Sequence, residues 1–163
     1  MRRLQQGVTC VEFAIVGSVL FMVMFGVIEF GRALFVANAL VESTRRGARV
    51  AAICPVGDSR PAQVAIFDEG SGRSLVAQDL TPANVVVEYL NQAGSPLPNP
   101  SGSYAQIQYV RVRIVNYSMQ LLIPFVMPRL RMPAFTATLP VESLGYSPTR
   151  QQFLACQPGQ GEA

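Results

Sequence analysis

Few residues in this 163-residue chain have side chains suited to catalysis or metal binding. The sequence contains three cysteines and ten acidic residues, but no histidine and no tryptophan. Without histidine, imidazole acid–base catalysis, a Cys–His nucleophile and every His-containing metal site are excluded. The cysteines form no CxxC pair, no serine lies in a GxSxG frame, and periodicity brings no two acids together. We therefore expect a protein that is not an enzyme and has no metal, cofactor or small-molecule substrate.

The charged residues are sparse and show no concentration of one sign. All thirteen basic residues are arginine, and ten acids leave a formal net charge of +3. This excess is too small and too scattered for the basic stripe of a nucleic-acid-binding protein, so no nucleic-acid partner is expected. Only 14% of the residues are charged, whereas roughly 25% are charged in an ordinary soluble domain. The apolar excess lies near the N-terminus.

A long apolar run begins directly after a short basic segment. Residues 13–28 carry no charge, and the run extends back to Val8 with Glu12 as the one interruption. At 1.5 Å per residue, residues 8–28 span about 31 Å as a helix, which matches the hydrocarbon thickness of a bilayer. The sequence predicts one transmembrane helix over residues 8–30. The alternative is a cleaved secretory signal peptide, but the small residues of an ordinary cleavage site do not follow the run.

Helical periodicity continues beyond the apolar run to about residue 53. This part of the helix has an apolar face, which we expect to pack on the rest of the chain, and an opposite polar face that contains Asn38, Glu42, Arg45 and Arg49. The apolar face consists of Leu34, Ala37, Leu40, Val41, Thr44, Ala48 and Ala51. Pro55 disfavours a helical conformation at Cys54, so the pattern predicts a single helix from about residue 9 to 53.

The residues after Pro55 show the pattern of a small sheet. Residues 84–90, 104–117 and 134–142 are predicted strands, with a bulge between Tyr109 and Val110 and with Pro140 at an edge. The sequence predicts a loop over residues 91–102, an apolar loop interrupted by prolines over residues 119–133 and a polar tail from Ser143. Residues 63–67 are compatible with a helix or a strand. The fold class is α+β, with one long helix packed on an antiparallel sheet of about three strands in residues 54–163.

Two of the three cysteines lie outside the apolar run. We favour a disulfide between Cys54 and Cys156, which would close a loop of about 100 residues and stabilise the fold by about 4–5 kcal/mol in the entropic model. The alternative is two unpaired thiols. Cys10 belongs to the start of the apolar helix.

The segment before the apolar run has a distinctive spacing. Four residues separate Gly7 from Glu12-Phe13, directly after a basic leader. This arrangement resembles the type IV prepilin processing site, at which a membrane peptidase cuts after the glycine on the cytoplasmic side. The resemblance implies a leader of residues 1–7, a mature chain that begins at Val8, and Glu12 as its fifth residue.

Glu12 also has a physical reason to matter for assembly. A carboxylate inside a spanning helix costs several kcal/mol unless it is paired. The N-terminal amine of Val8 in a neighbouring subunit would supply that partner, so the charge would favour packing into a filament. The alternative is that Glu12 merely lies at the membrane interface.

Further along the helix, three motifs resemble the N-terminal signature of TadE-like proteins of the tight-adherence (Tad/Flp) pilus system. They are Glu29-Phe30-Gly31-Arg32, Asn38-Ala39-Leu40 and Arg45-Arg46-Gly47-Ala48-Arg49. The resemblance implies a minor pilin or pseudopilin that supports pilus biogenesis, adhesion and biofilm formation. Its implied partners are a prepilin peptidase, other pilin and pseudopilin subunits and the Tad inner-membrane assembly platform.

The resemblance also implies a single-pass inner-membrane protein with a cytoplasmic N-terminus and a periplasmic globular part, later moved to a pilus or pseudopilus at the cell surface. The arginine count on the two sides of the apolar run does not favour this orientation, but the processing site and the cysteines of the C-terminal part do. A tip, primer or regulatory role stays open. The alternative function is an unprocessed, signal-anchored periplasmic binding or scaffold protein of a secretion system.

Overall fold

One long helix extends through the first third of the chain and carries the rest of the fold on its C-terminal half. The computed structural model describes residues 3–68, 72–74, 76–122, 129–147, 152–153 and 156. Helix α1 spans Arg3–Ile53, 51 residues, or about 75 Å at the standard rise. It begins earlier than the apolar pattern predicts, because Leu4, Gln5 and Gln6 are good helix formers that continue the helix into the leader.

A short second helix packs across α1 directly after its end. Pro55 ends α1, and α2 spans Arg60–Ala65 with Pro61 in its first turn, where the missing N–H of proline costs no helical hydrogen bond. The segment 63–67, which was ambiguous from sequence, is therefore helical up to Ala65. Its backbone crosses α1 at Gly47.

The main sheet has three antiparallel strands in the described part of the chain. They are β1 (Val85–Leu90), β2 (Tyr109–Ile114) and β5 (Phe135–Pro140), in the order β1-β2-β5. Val87 pairs with Val112, and Val112 pairs with Ala137. The predicted α+β architecture is confirmed, and Pro140 lies on an edge strand as proline requires.

The two faces of β2 separate apolar from charged residues. Val110, Val112 and Ile114 are buried on the α1 side, while Arg111 and Arg113 approach the Glu88 carboxylate on the outer face at 3.7 and 3.2 Å. This alternation follows from the period of two along a strand.

The predicted strand 104–117 with a bulge between Tyr109 and Val110 is wrong at both ends and at the bulge, since β2 spans only Tyr109–Ile114. Residues Tyr104–Gln106 form a 3₁₀ turn, and the pairing of β2 with β1 continues without a gap from Tyr109 onward. Tyr109 is 38% exposed and lies on the outer face of β2 with Arg111 and Arg113, so the alternation has no change of phase within the strand.

Two short strand pairs replace segments predicted as loop and tail. Strands β3 (Ser118–Gln120) and β4 (Arg129–Arg131) pair antiparallel, and we call this pair the ribbon. Strands β6 (Tyr146–Ser147) and β7 (Gln152–Phe153) pair in the predicted tail. The central part of the predicted apolar loop, residues 123–128, lies outside the described residues.

The core consists of two clusters along α1. The first surrounds Val36 and Leu40 with Leu80, Tyr117 and Met119, and the second surrounds Ala48 and Ala51 with Tyr89, Val110 and Val112. The buried face of α1 agrees with the predicted one at Leu40, Thr44, Ala48 and Ala51. Leu34 and Val41 are exposed, because the globular part covers a face of the helix that also contains Val36, Ser43 and Gly47.

Two core tyrosines have perturbed acidities. Burial raises the pKa of Tyr89 to about 12, since the phenolate would lose its hydration. Burial also raises the pKa of Tyr117, whose hydroxyl donates a hydrogen bond to the Gln78 carbonyl at 2.9 Å.

Candidate functional site

The N-terminal half of α1 is an apolar helix whose side chains contact almost nothing else in the described chain. Val8, Phe13 and Met22 are 68%, 77% and 74% exposed. Soluble monomers rarely expose contiguous apolar patches beyond a few hundred Å², and this surface continues around the whole helix from Val8 to Ile28. By length and composition α1 can cross a membrane.

The predicted processing and assembly residues all lie on this free helix. The backbone of Gly7 is helical, Val8 follows it, and Glu12 is exposed among apolar neighbours. Among the described side chains, none forms an ion pair or hydrogen bond with the Glu12 carboxylate. Phe13 and the free thiol of Cys10 are also exposed. The structure therefore presents these residues outward and brings none of them to the globular part.

The first charged residues after the apolar run bind the ribbon. The Glu29 carboxylate accepts a hydrogen bond from the Leu122 N–H at 3.1 Å through Oε1, and its Oε2 lies 3.2 Å from Arg32 Nη2. The same guanidinium nitrogen donates to the Gln120 carbonyl. We call these contacts the ribbon clamp. It joins the helix to a segment about ninety residues away in sequence.

The clamp explains two of the four residues in the Glu29-Phe30-Gly31-Arg32 motif. The Glu29 side chain is only 12% exposed and that of Arg32 27%, so both charges are partly desolvated and hold each other in place. Arg32 Nε is buried without a hydrogen-bond partner among the described residues. Phe30 is 66% exposed and Gly31 faces open space, so neither contributes to the clamp.

A second tether closes the opposite end of α1. Cys54, fully buried at the end of the helix, forms a disulfide with Cys156 across a Cα–Cα distance of 5.4 Å. This is the pairing that the sequence favours. Asp58 reinforces it, because its Oδ2 accepts from the Cys156 N–H at 3.2 Å and its Oδ1 accepts from the Arg60 N–H at 2.8 Å.

The cluster at this disulfide is not a metal site in its oxidised form. The Sγ atoms of Cys54 and Cys156 and a carboxylate oxygen of Asp58 lie within 4.8 Å of one another. Metals bind cysteine as the thiolate, and both sulfurs are committed to the disulfide. The arrangement instead fastens the C-terminal segment to the start of α2.

Sequence reasoning missed Gly47 and Asp58 as structural determinants. A Cβ atom on Gly47 would lie 2.8 Å from the Ala65 Cβ and 3.2 Å from the Pro61 carbonyl oxygen. Only glycine admits α2 at this distance. Its place within the Arg45–Arg49 motif was the available signal, but the close approach depends on tertiary contact.

Comparison with known proteins supports the sequence resemblance over the helix that carries these features. The family model described as "TadE-like protein" matches residues 7–49. No curated protein and no solved structure matches the chain. The matched region covers the exposed apolar helix, the acidic and basic residues of the clamp and Gly47. TadE-like proteins are structural pilus components, and the chain carries a TadE-like segment over residues 7–49.

Proposed function

We propose that the chain is a minor pilin or pseudopilin subunit of a Tad/Flp-type pilus and that it acts by assembly, not by catalysis. The observation that carries this proposal is the apolar half of α1, which is exposed from Val8 to Ile28, whereas the described residues of the globular part form a core with the other half of the helix. Such a helix needs a bilayer before assembly and other apolar helices after it. As a subunit the chain supports pilus biogenesis, adhesion and biofilm formation.

In the proposed precursor, α1 crosses the inner membrane once with a cytoplasmic N-terminus. The globular part then lies in the periplasm, an oxidising compartment in which disulfides form and persist. The disulfide between Cys54 and Cys156 supports this orientation. A prepilin peptidase removes residues 1–7 on the cytoplasmic side, and the Tad inner-membrane assembly platform receives the mature subunit.

Assembly is proposed to depend on Glu12. Its carboxylate is exposed on the apolar helix and has no ion-pair partner among the described side chains, so in the bilayer it costs several kcal/mol. The new amine of Val8 in a neighbouring subunit offsets that cost in the filament. Phe13, which is 77% exposed, contributes apolar surface to the same contact.

The processing step is tested by the intact mass of the protein from membranes with and without the prepilin peptidase. The proposal predicts loss of residues 1–7 only when the peptidase and Gly7 are both present, and an uncut chain for Gly7→Ala. Gly17→Ala is the matched control, because it makes the same replacement within α1 at a position where the new Cβ meets open space. A full-length mass in every sample would favour the unprocessed, signal-anchored scaffold, and a cut beyond Phe30 would indicate an ordinary signal peptide.

The assembly step is tested by Glu12→Gln, which keeps the shape of the side chain and removes its charge. We expect normal removal of residues 1–7 but loss of the subunit from sheared filaments. Glu42→Gln is the control, since Glu42 forms an exposed ion pair with Arg46 at 3.1 Å, a type of pair that contributes little. Equal incorporation of both variants would contradict a role for the Glu12 charge.

A further inference from the structure

The ribbon clamp fixes the height of the ribbon relative to the apolar helix. Glu29 directly follows Ile28, the last residue of the uncharged run, and it holds the backbone N–H of Leu122 at 3.1 Å. Along β3 the chain passes from Met119, which packs with Val36 in the core, to Gln120 at Arg32. Two residues after β3 it reaches Leu122 at Glu29. The chain therefore descends along α1 and reaches the end of the apolar run at Leu122.

The described side chains of the ribbon and of the residues directly after β3 combine apolar and basic character. Leu122 is 63% exposed and Leu130 is 41% exposed. Arg129 pairs with Gln120 at the end that leads to Leu122, and Arg131 pairs with Ser118, two residues farther from the apolar run. Both arginines are exposed and lie on one face of the ribbon. Arg131 donates a hydrogen bond to Asn116 Oδ1 at 3.3 Å, which leaves further N–H donors of its guanidinium available. In sequence, residues 123–128 between the two strands carry no charge.

We propose that the ribbon is a second membrane contact of the subunit before assembly. Leu122 enters the interfacial layer of the leaflet on the side of the globular part, and Arg129 and Arg131 bind lipid phosphate groups. An apolar side chain next to arginines is the pattern of a segment that lies at a membrane surface and prefers anionic lipid. The contact is continuous with the spanning helix, because Glu29 and Arg32 hold the ribbon at its end.

This inference rests on the proposed function in one respect, namely that α1 spans a bilayer. Its consequence is that the clamp and the ribbon fix the tilt and rotation of the globular part above the membrane. The subunit would then be presented to the assembly machinery in one orientation. Withdrawal of α1 into a filament would require the ribbon to leave the lipid.

The membrane contact is tested with the full chain in nanodiscs that contain phosphatidylglycerol. In a Cys10→Ser background, a fluorophore is attached to a cysteine introduced as Leu122→Cys. Quenching is measured in separate nanodiscs with lipids that carry a nitroxide near the headgroup, for position 122, or on the acyl chain, for position 16; position 53 is measured with both. Ile53→Cys is the matched control, since Ile53 is 45% exposed but lies about 36 Å farther along the helix. Val16→Cys reports on insertion of the helix itself.

The proposal predicts quenching at positions 122 and 16 but not at position 53. Quenching at position 16 without quenching at position 122 would overturn the ribbon contact and leave the proposed function intact. Absence of quenching at position 16 would overturn both. A label at position 122 that is shielded only when other pilin subunits are present would assign this surface to a neighbouring subunit and also overturn the proposal.

The phosphate contact is tested by native mass spectrometry of the full chain released from the same nanodiscs. Arg129→Gln combined with Arg131→Gln should reduce the number of retained phosphatidylglycerol molecules. Arg45→Gln combined with Arg49→Gln is the control, because these arginines are also exposed but lie beyond the clamp along α1. Equal lipid retention by the two double variants would overturn the role of the ribbon arginines.

Discussion

Replacement of Gly47 by alanine tests how the long helix and the globular part are joined. In α1, Gly47 faces α2 at the point where the two backbones are closest. The new Cβ would lie 2.8 Å from the Cβ of Ala65, 3.2 Å from the Pro61 carbonyl oxygen and 3.2 Å from Val112 Cγ1. Two of these three neighbours are fixed to the backbone of α2, so they cannot move away by rotation of a side chain.

The expected magnitude is the difference between two opposing effects. Alanine in place of glycine within a helix stabilises it by about 1 kcal/mol, whereas overpacking of a close contact costs about 1–3 kcal/mol. We expect the cost to exceed the gain, because the helices must separate to accommodate the methyl group. Gly31→Ala isolates the first effect, since the Cβ of that variant meets open space.

The assay is thermal unfolding of the full chain in detergent, followed by the near-ultraviolet circular dichroism of its five tyrosines. Gly47→Ala should unfold several degrees below Gly31→Ala, since about 1 kcal/mol corresponds to roughly 2–4 °C in a chain of this size. A Gly47→Ala protein at least as stable as Gly31→Ala would refute the close approach of α2 to α1.

Three further outcomes are expected. Cys156→Ser removes the disulfide between residues that are 102 positions apart, and in urea titrations it should lower the free energy of unfolding by about 4–5 kcal/mol. Cys10→Ser should leave the free energy of unfolding unchanged. Equal effects of the two variants would exclude a structural disulfide. Glu29→Ala removes the acceptor of the Leu122 N–H, so it should lower the free energy of unfolding by about 1–3 kcal/mol and speed hydrogen exchange of the amide of residue 122. Glu29→Gln keeps an acceptor, so this amide should exchange more slowly in Glu29→Gln than in Glu29→Ala. The pKa of Tyr89 is raised from 10.0 to about 12, so the contribution of this residue to the free energy of unfolding is complete below pH 10 and falls by about 1.4 kcal/mol per pH unit as the pH rises towards 12. Tyr89→Phe should reduce this loss of stability between pH 10 and 12. If the variant shows the same loss, the pH dependence arises from other groups.

The sequence was sufficient for the elements whose residue pattern is long and regular. The valine-rich residues 85–90 and the alternation from Val110 to Ile114 predict two strands that the structure contains. The uncharged run before Glu29 predicts the apolar helix, and Pro55 predicts its end. In each case local preference and burial favour the same conformation, so a single sequence is enough.

The sequence was insufficient where structure depends on distant contacts. Strands β3 and β4 have three residues each and lie in a segment rich in proline, so no periodic pattern marks them. Their position depends on the bonds of Glu29 and Arg32 to backbone groups at residues 122 and 120. The motif identified these two side chains, but their partners are backbone atoms and carry no signal in the sequence.

The orientation of α1 was another limit. Leu34 and Val41 have the periodicity of a buried face, yet they are 50% and 36% exposed. Apolar residues occur on more than one side of this helix, whereas the sheet and α2 cover only part of its circumference. Helical periodicity cannot distinguish the face that contacts the chain's own core from a face that is left for other partners.

The central claim is that the apolar half of α1 packs against other subunits in a filament. The most direct test is a photo-crosslinking residue in place of Val16, which is 62% exposed on this helix, with Val86 on the outer surface of the sheet, 36% exposed, as the comparison site. In filaments sheared from cells, we expect protein adducts with pilin subunits at position 16 and few at position 86. Absence of the chain from the filaments, or adducts at position 16 with lipid alone in every fraction, would contradict this claim.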